Sequence, residues 1–571
     1  MLSVVRRSVF PGLLADVELH PVLRQIYGAR GLRRSEELSL TLDGLLPVST
    51  LEGVHAAADL LRHHRDQAIT VVGDFDADGA TSTALVLRAL RSFGFGRVDF
   101  LVPNRFEFGY GLTPEVVAQV VARGSRLIVT VDNGVSSIAG VAAARAAGLD
   151  VLVTDHHLAG AALPAANVIV NPNLPGSQFG SRALAGVGVA FYVCAALRRL
   201  LETRNELPAG ALSVAALLDL VALGTVADVV PLDRNNRVLV AQGLTRIRAG
   251  CCVPGITALL ELAQRHPGHA GAADMGFGVA PRLNAAGRLS DMSLGIRCLL
   301  TDDAAEARQL ARELDALNVE RRRIEAQMQT EAIAATRVLR QPGWTQRSGV
   351  VLFDAGWHQG VVGLVAGRVK EQLRRPVIAF ALADADTLRG SARSVAGVHV
   401  RDVLDAIAAR DPTLIQKFGG HAMAAGLSLA RGHLDRFARA FDAEVSRCLQ
   451  GCASPDVIET DGELATQHIA IDTAMALREG GPWGSGFPEP LFDGVFDVQG
   501  ARVVGERHLK LQVAAPERRG CFDAIAFNQV DPQAPAPLPA GPHRLVYRLD
   551  ANEYRGEQRL QLVVEHVLPA S

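Results

Sequence analysis

At 571 residues the chain exceeds what one hydrophobic core holds, since cores seldom grow past about 250–300 residues, so several domains are expected. Its hydrophobic content of 49% is ample for packed cores, and a formal charge of −2 excludes a uniformly basic coat, which leaves only a local groove for a polyanion. Lys370, Lys417 and Lys510 are the only lysines beside 55 arginines; guanidinium forks suit phosphate, although a genome-wide coding bias toward Arg and Ala accounts for the same count. The seven cysteines include the adjacent Cys251 and Cys252 and show no metal-ligand spacing. With an odd count and no secretory apolar stretch after Met1, they read as reduced thiols of a cytoplasmic protein.

In chain order, residues 1–53 contain PVLRQIYGARGL and SEELSLTLDGLLP and read as an accessory helical segment. Residues 54–301 alternate short β-branched runs with alanine-rich stretches, the pattern of a doubly wound α/β domain on a parallel sheet. Its strand-like runs are AITVVGDFDADG (68–79), VDFLVP (98–103), RLIVTVDNG (126–134) and DVLVTDHH (150–157), with a helix expected over Thr81–Phe93 after the sharp turn at Gly79. AGVGVAFYVCAAL (185–197) is too short to span a bilayer. ALSVAALLDLVALGTVADVVPL (211–232) is interrupted by Asp219 and Asp228, so it reads as a buried helix, with Gly224 and Pro231 as terminators. Residues 302–340, rich in helix formers and without Gly or Pro up to Leu339, form a long linking helix whose Arg321, Arg322 and Arg323 face either a nucleic-acid cleft or solvent. A second α/β lobe follows over 341–453, and two lobes joined by a helix leave a cleft suited to a substrate. From 454 to 571 the short alternating runs HLKLQVA, CFDAIAFN, HRLVYRLDANEYRG and QRLQLVVEHV suit an OB-like β-barrel. There Arg502, Arg507, Lys510 and Arg544 either track a nucleic-acid backbone or are ordinary surface charges.

The chemistry gathers at the strand ends. In an open parallel sheet the carboxyl ends of the strands share one edge, where ligands bind, so Asp74, Asp76, Asp78, Asp132, Asp155, His156 and His157 converge on one small volume. Each carboxylate raises its neighbours' pKa, and so many stay ionised only if cations compensate them. Hard oxygen ligands favour magnesium or manganese, added imidazole shifts preference toward manganese or zinc, and the lack of thiolate argues against structural zinc. Taken singly, any of these acids reads as a helix cap or turn residue. Asp228 either joins the metal site from its helix or caps that helix; Asp219 reads as structural.

GDFDADG, VDNG, TDHH and GTVADVV, in that order, resemble the metal-binding motifs of the DHH phosphoesterase superfamily. PNRFEFGYG, LAGVGVAFY, PRLNAAGR, WHQGVVG, SARS, KFGGHAMAAG, GPWGSGFPEPLFDG and VGERHLK narrow the resemblance to its RecJ branch over essentially the whole chain. Many superfamily members carry a His where this chain has Val72, a change the RecJ branch shares, with Asp74 as the replacement ligand. The resemblance implies two divalent metal ions, magnesium or manganese: one held by Asp74, Asp76 and Asp132, the other by Asp78, Asp132, His156 and Asp228, with Asp132 as the bridge. His157 would face the scissile phosphate, with Asp155 behind it holding the ring. Arg105, Ser391 and Arg393 would form a pocket for a 5′ phosphate, Tyr110 would stack on a base, Arg282 would contact the strand, and His421 would approach a nucleotide beside small residues. The implied activity is a 5′ to 3′ exonuclease on single-stranded DNA in repair and recombination, releasing 5′-mononucleotides. The implied partners are a single-stranded-DNA-binding protein and a RecQ-type helicase; a monomer without membrane attachment is expected. An oligonucleotide or cyclic-dinucleotide phosphodiesterase of the same superfamily, and a non-catalytic replication scaffold, are the competing readings. The chain's length speaks against the first, and its full set of acids against the second.

Overall fold

The structure is a computed structural model and describes residues 3–8, 14, 17–103, 111–160, 162–338, 347–395, 397–420, 422–449, 457–505, 508–515, 520–527, 529–530, 538–554 and 557–570. Arg105, Tyr110, His421 and Arg507 lie outside these residues.

The N-terminal segment holds β1 (Ser3–Arg6) and α1 (Pro21–Ala29). Its second run, expected to be helical, forms only short 3₁₀ turns at Ser35–Glu37 and Leu42–Gly44. Ser39 and Thr41 bond each other through their hydroxyls, Glu37 accepts from the Arg33 and Arg34 amides, and Gly44 and Pro47 interrupt what remains. Strand β1 has no counterpart in the sequence reading either; it pairs in parallel with β12 (Val457–Thr460), more than 450 residues away.

The catalytic domain runs α2 (Val54–His63), β2 (Ile69–Gly73), α3 (Ala77–Ser92), β3 (Val98–Leu101), α4 (Pro114–Ala122), β4 (Leu127–Val131), α5 (Ile138–Ala146), β5 (Asp150–Thr154) and β6 (Val168–Val170). All neighbours in its sheet are parallel, in the order β3-β2-β4-β5-β6. Alternate residues of each strand point to opposite faces, so Val71, Val129 and Leu152 pack against α2, α3 and α6 (Gly186–Thr203), whereas Val72, Ile128 and Val153 pack against α4 and α5. The sheet is therefore doubly wound, and the winding reverses between β2 and β4.

Helices α7 (Leu218–Ala227), α8 (Arg234–Arg248), α9 (Pro254–Leu262), α10 (Ala280–Leu289) and α11 (Ser293–Leu300) complete the domain. Gly224 does not end α7 but lies inside it, and a Cβ there would fall 2.2 Å from the Thr81 hydroxyl and 2.8 Å from Asp78 Oδ1. The missing side chain lets α7 lie close against α3. Asp219, buried, accepts from the Val253 amide and so caps the start of α9.

The long helix α12 (Ala304–Val338) gives Leu310, Ala311 and Leu314 to the catalytic core and Met328 and Ala332 to the second lobe. That lobe comprises β7 (Val350–Phe353), α13 (Val362–Leu373), β8 (Val377–Leu382), β9 (Thr387–Arg393), α14 (Val400–Arg410), β10 (Lys417–Gly420), β11 (Ala424–Ala430) and α15 (Leu434–Leu449). Its mixed sheet has the order β10-β11-β9-β8-β7, with α13 on one face and α14 and α15 on the other.

After β12 and α16 (Ile471–Glu479), β13 (Phe492–Val504), β14 (His508–Ala514), β15 (Cys521–Ala526), β16 (Gly541–Tyr554) and β17 (Glu557–Pro569) close a five-stranded barrel. Its one parallel pair is β15 with β17, the OB-type arrangement expected from the alternating runs. The barrel is bound to the rest of the chain. Arg6 and Arg544 both bond the buried Asp493, so Arg544 is spent on this junction rather than offered to a nucleic-acid backbone. Arg502 is exposed, and Lys510 lies 3.9 Å from Asp523. The loop before β13 packs on the catalytic domain, where Ser485 O accepts from the Leu232 amide and Phe487 lies 4.0 Å beneath the Arg237 guanidinium. Among the described residues no helix is long and apolar enough to cross a membrane.

Candidate metal centre

A crevice opens where the winding of a parallel sheet reverses, and the acids lie in it. Asp74, Asp76 and Asp78 follow β2, Asp132 follows β4, and Asp155, His156 and His157 follow β5. Asp228 arrives at the C-terminal end of α7.

Three sets of ligand atoms lie within 4.8 Å of one another: Asp74, Asp76 and Asp132; Asp78, His156 and Asp228; and Asp132, His156 and His157. The first set brings together the residues the resemblance implies for one ion, the second three of the four it implies for the other, and Asp132 meets His156 in the third set. His156 Nε2 lies 3.1 Å from Asp132 Oδ1 and 3.4 Å from Asp228 Oδ2, so Asp132 stands between the two groups. The third set also brings in His157, which the resemblance assigns to the phosphate.

Local backbone chemistry aims these groups. Asp132 has φ +61°, a left-handed conformation uncommon for a residue with a side chain. Asn133 holds the turn by donating to the Val72 and Val131 carbonyls, which ties the ends of β2 and β4 together. Asp76 Oδ1 caps α3 by accepting from the Asp78 and Gly79 amides, so one carboxylate both caps the helix and stands within the first ligand set. Asp78 accepts from the Gly186 and Val187 amides at the start of α6, where the helix dipole favours an anion. Each carboxylate oxygen has two lone pairs, so these bonds leave room for a cation.

The electrostatics state the need for one. Burial, then the Asp76 charge, push the Asp78 carboxyl up to about 7 despite the two helix amides. Burial, then Asp78, Asp76 and Asp74, raise Asp132 well above the carboxylate range, and burial with the same neighbours raises Asp228. Hard oxygens with one or two imidazoles and no thiolate fit magnesium or manganese.

Asp155 behaves differently. Burial alone would raise it, but His157, the nearby His156 and the Val135 amide overcome this and hold it at about 2. Its Oδ1 lies 2.7 Å from His157 Nδ1 and also accepts from the His156 and His157 amides. Burial would lower His157, but the bond to Asp155 and the charges of Asp155, Asp74 and Asp228 outweigh it and raise the imidazole to about 9.

The structure corrects the expectation for Arg282. Only 7% exposed, its guanidinium donates to the Gly278 and Leu262 carbonyls and pairs with Asp315 at 2.8 Å, so it joins α9, α10 and α12 and does not reach toward a strand. The residues of PRLNAAGR that act on the centre are Asn284 and Gly287. Asn284 Oδ1 accepts from the Ala77 amide, and a Cβ on Gly287 would lie 1.7 Å from the Phe75 carbonyl. Their signal was present in the motif, but a small residue and an amide draw less notice than an arginine. The contact chain continues: a Cβ on Gly360 would lie 2.2 Å from the Arg288 carbonyl, and one on Gly363 would lie 2.8 Å from the Ser391 hydroxyl and 2.9 Å from Arg393 Nη2. Ser391 and Arg393, on β9, thus lie a few contacts from the metal loop; Arg393 is half-buried and donates to Ser391 Oγ and Ala392 O.

A doubly wound sheet with clustered Asp and His ligands at its reversal, followed by a helix-linked second lobe, defines a DHH-type phosphoesterase. Residues 68–225 match the DHH family N-terminal domain, 346–447 the DHHA1 domain and 460–566 the RecJ OB domain. The single-stranded-DNA-specific exonuclease RecJ of Dickeya dadantii (strain 3937) is 52% identical over 556 residues, 96% of either chain, and that of Escherichia coli (strain K12) is 50% identical over 573 residues, covering 100% of this chain and 99% of its own. The crystal structure of RecJ in complex with Mn²⁺ from Thermus thermophilus superposes with a TM-score of 0.80 at 31% identity, covering 100% of this chain and 79% of that one. A second structure of that protein, in complex with Mg²⁺, superposes with a TM-score of 0.74. The chain belongs to the RecJ family of exonucleases.

Proposed function

We infer that this chain is a metal-dependent exonuclease specific for single-stranded DNA that removes 5′-mononucleotides from the 5′ end. The observation that carries the reading is the pair of ligand groups meeting at Asp132 in a crevice too acidic to stay ionised without cations. Asp74, Asp76 and Asp132 would hold one magnesium or manganese ion, and Asp78, His156 and Asp228, with Asp132 shared, the other. Two divalent cations supply neutralising charge for the attacking and leaving oxygens of a phosphodiester and a water of lowered pKa.

The chain's own residues do the rest. Asp155 fixes the His157 ring through Nδ1 and keeps it cationic, so Nε2 is the atom presented to a phosphate oxygen. Ser391 and Arg393, with Arg105, would receive the terminal 5′ phosphate, and Tyr110 and His421 would contact the end nucleotide. A closed pocket beside the metals admits one nucleotide at a time, which sets both polarity and product. Work beside a single-stranded-DNA-binding protein and a RecQ-type helicase, as a cytoplasmic monomer, belongs to the same proposal and is supported by the family resemblance.

The test is digestion of strands labelled at either end, alone and annealed, with magnesium or manganese. Mononucleotides should appear first from the 5′ label on single strands. Release from the 3′ label first, or equal digestion of duplex, would overturn the reading.

A further inference from the structure

Between the catalytic domain and the barrel lies a groove of about 1160 Å³. One wall is the stretch Thr225–Val230 that carries Asp228; others are the π-helical turn Asp274–Val279, the loop around Trp483, and Arg548–Asn552 of β16. The two most exposed large apolar side chains among the described residues, Phe277 at 83% and Val229 at 68%, both belong to it.

Exposing a phenyl ring forgoes about 1.5–3 kcal/mol of burial, and π-helical turns recur at functional sites. This turn is also held still. Asp274 accepts from the Gly271 amide and pairs with Arg265, Gly278 O accepts from Arg282, and a Cβ on Gly276 would touch Val226 of α7 at 3.3 Å. Phe277 is thus an exposed aromatic side chain carried on a held turn against the helix that bears Asp228 at its end. The groove's charges largely cancel: Arg265 pairs with Asp274, Arg478 with Asp550 and Arg548 with Glu489. A polyanion gains little there from charge, so an aromatic face is what the groove offers it.

We propose that Phe277 is a base-stacking residue that supports the single strand on its way from the barrel to the metal centre. This rests on the reading of the substrate as single-stranded DNA. Any base presents a π-face, so stacking is sequence-tolerant, while a duplex keeps its bases inside and has nothing to give this ring. The face therefore selects single strands without reading them.

The test uses the full chain and a 5′-phosphorylated 20-nucleotide single strand, with binding followed by anisotropy without added divalent metal. Phe277→Ala should raise Kd about 5- to 150-fold, as expected from about 1–3 kcal/mol per stacked base. The slope of log K against log salt should stay as in wild type, because no phosphate contact is lost. Phe277→Trp should bind within twofold of wild type, and on a matched strand of abasic residues wild type and Phe277→Ala should bind alike. In the unaltered protein, a photo-crosslink from a 5-iodouracil strand should map to Phe277, which tests the proposal even if the alanine variant fails to fold. A Phe277→Ala variant that binds as wild type, an equal loss on the abasic strand, a changed salt slope, or crosslinks confined to other residues would overturn it. If the wild-type chain neither binds nor digests single strands, the functional reading fails instead.

Discussion

Replacing Asp132 by Asn removes one charge while keeping size and shape, and Asn tolerates the left-handed backbone that Asp132 adopts at φ +61° better than Ala does. The change strikes both ligand groups, because Asp132 lies within 4.8 Å of Asp74 and Asp76 on one side and of His156 on the other. Disturbing even an outer partner of a metal ligand costs about 10–100-fold in affinity or activity, so losing a shared direct ligand should lower hydrolysis by at least about 10³-fold. Without metal the sign reverses. Two like charges within 4.8 Å of each other repel by at least about 3.5 kcal/mol at an effective dielectric of 20, and the wild-type cluster relieves this only by taking up protons. The variant should therefore melt at a higher temperature than wild type in chelator at pH 8.5, yet gain little from manganese. Wild type should gain about 2.7 kcal/mol at a metal concentration of 100 Kd. Thermal melts with and without manganese, beside hydrolysis of a labelled strand, read all of this, and single-strand binding should stay within a few-fold because phosphate contacts elsewhere dominate it. Hydrolysis within tenfold of wild type, or an undiminished manganese shift, would refute the bridging role.

Other consequences can be measured separately. In metal-free protein Asp155, depressed to about 2, contributes stability that is full above its ordinary 3.8 and lost as pH falls through 2; His157, raised to about 9, contributes stability that is full below 6.5 and lost as pH rises through 9. Both describe one ion pair, so Asp155→Asn should remove a single plateau between about pH 4 and pH 6.5 and lower the His157 titration, followed by NMR, although the Asp74 and Asp228 charges remain; an unmoved His157 pKa would contradict the pairing. Gly287→Ala should push the Phe75 carbonyl away and weaken manganese binding at least tenfold by calorimetry, with circular dichroism unchanged; wild-type affinity would show that the loop adjusts freely. Arg393→Ala should erase most of the rate advantage of a 5′ phosphate over a 5′ hydroxyl on matched strands, since a charge-assisted contact is roughly twice as strong as a neutral one. An undiminished preference would place the phosphate elsewhere.

The parallel sheet, the linking helix and the barrel were legible because each follows from local periodicity, and the acids from their place at the ends of β-branched runs. What the periodicity does not encode is contact at a distance. Gly224 reads locally as a helix breaker, yet in space it is the gap that lets α7 lie on α3. The resemblance gives Arg282 a contact to the strand, while its partners are two backbone carbonyls and Asp315. Asn284 and Gly287 act through the Ala77 amide and the Phe75 carbonyl, about 200 residues earlier. The strand at Ser3–Arg6 is four residues long with a partner near residue 460, too short for a pattern and too remote for a turn signal.

That last pairing has a consequence in time. Residues 3–6 leave the ribosome well before their partners at 457–460, which come 454 positions later. At a synthesis rate of about 5–20 residues per second, the leading strand waits about 20–90 s with Val4 and Val5 on an unpaired edge. The carboxylate that receives Arg6, Asp493, is made later still. The strand at Ser3–Arg6 is thus among the last pieces to find its place, and in the finished molecule it fastens the N-terminal segment to the strand that leads into the barrel and to the barrel's first strand.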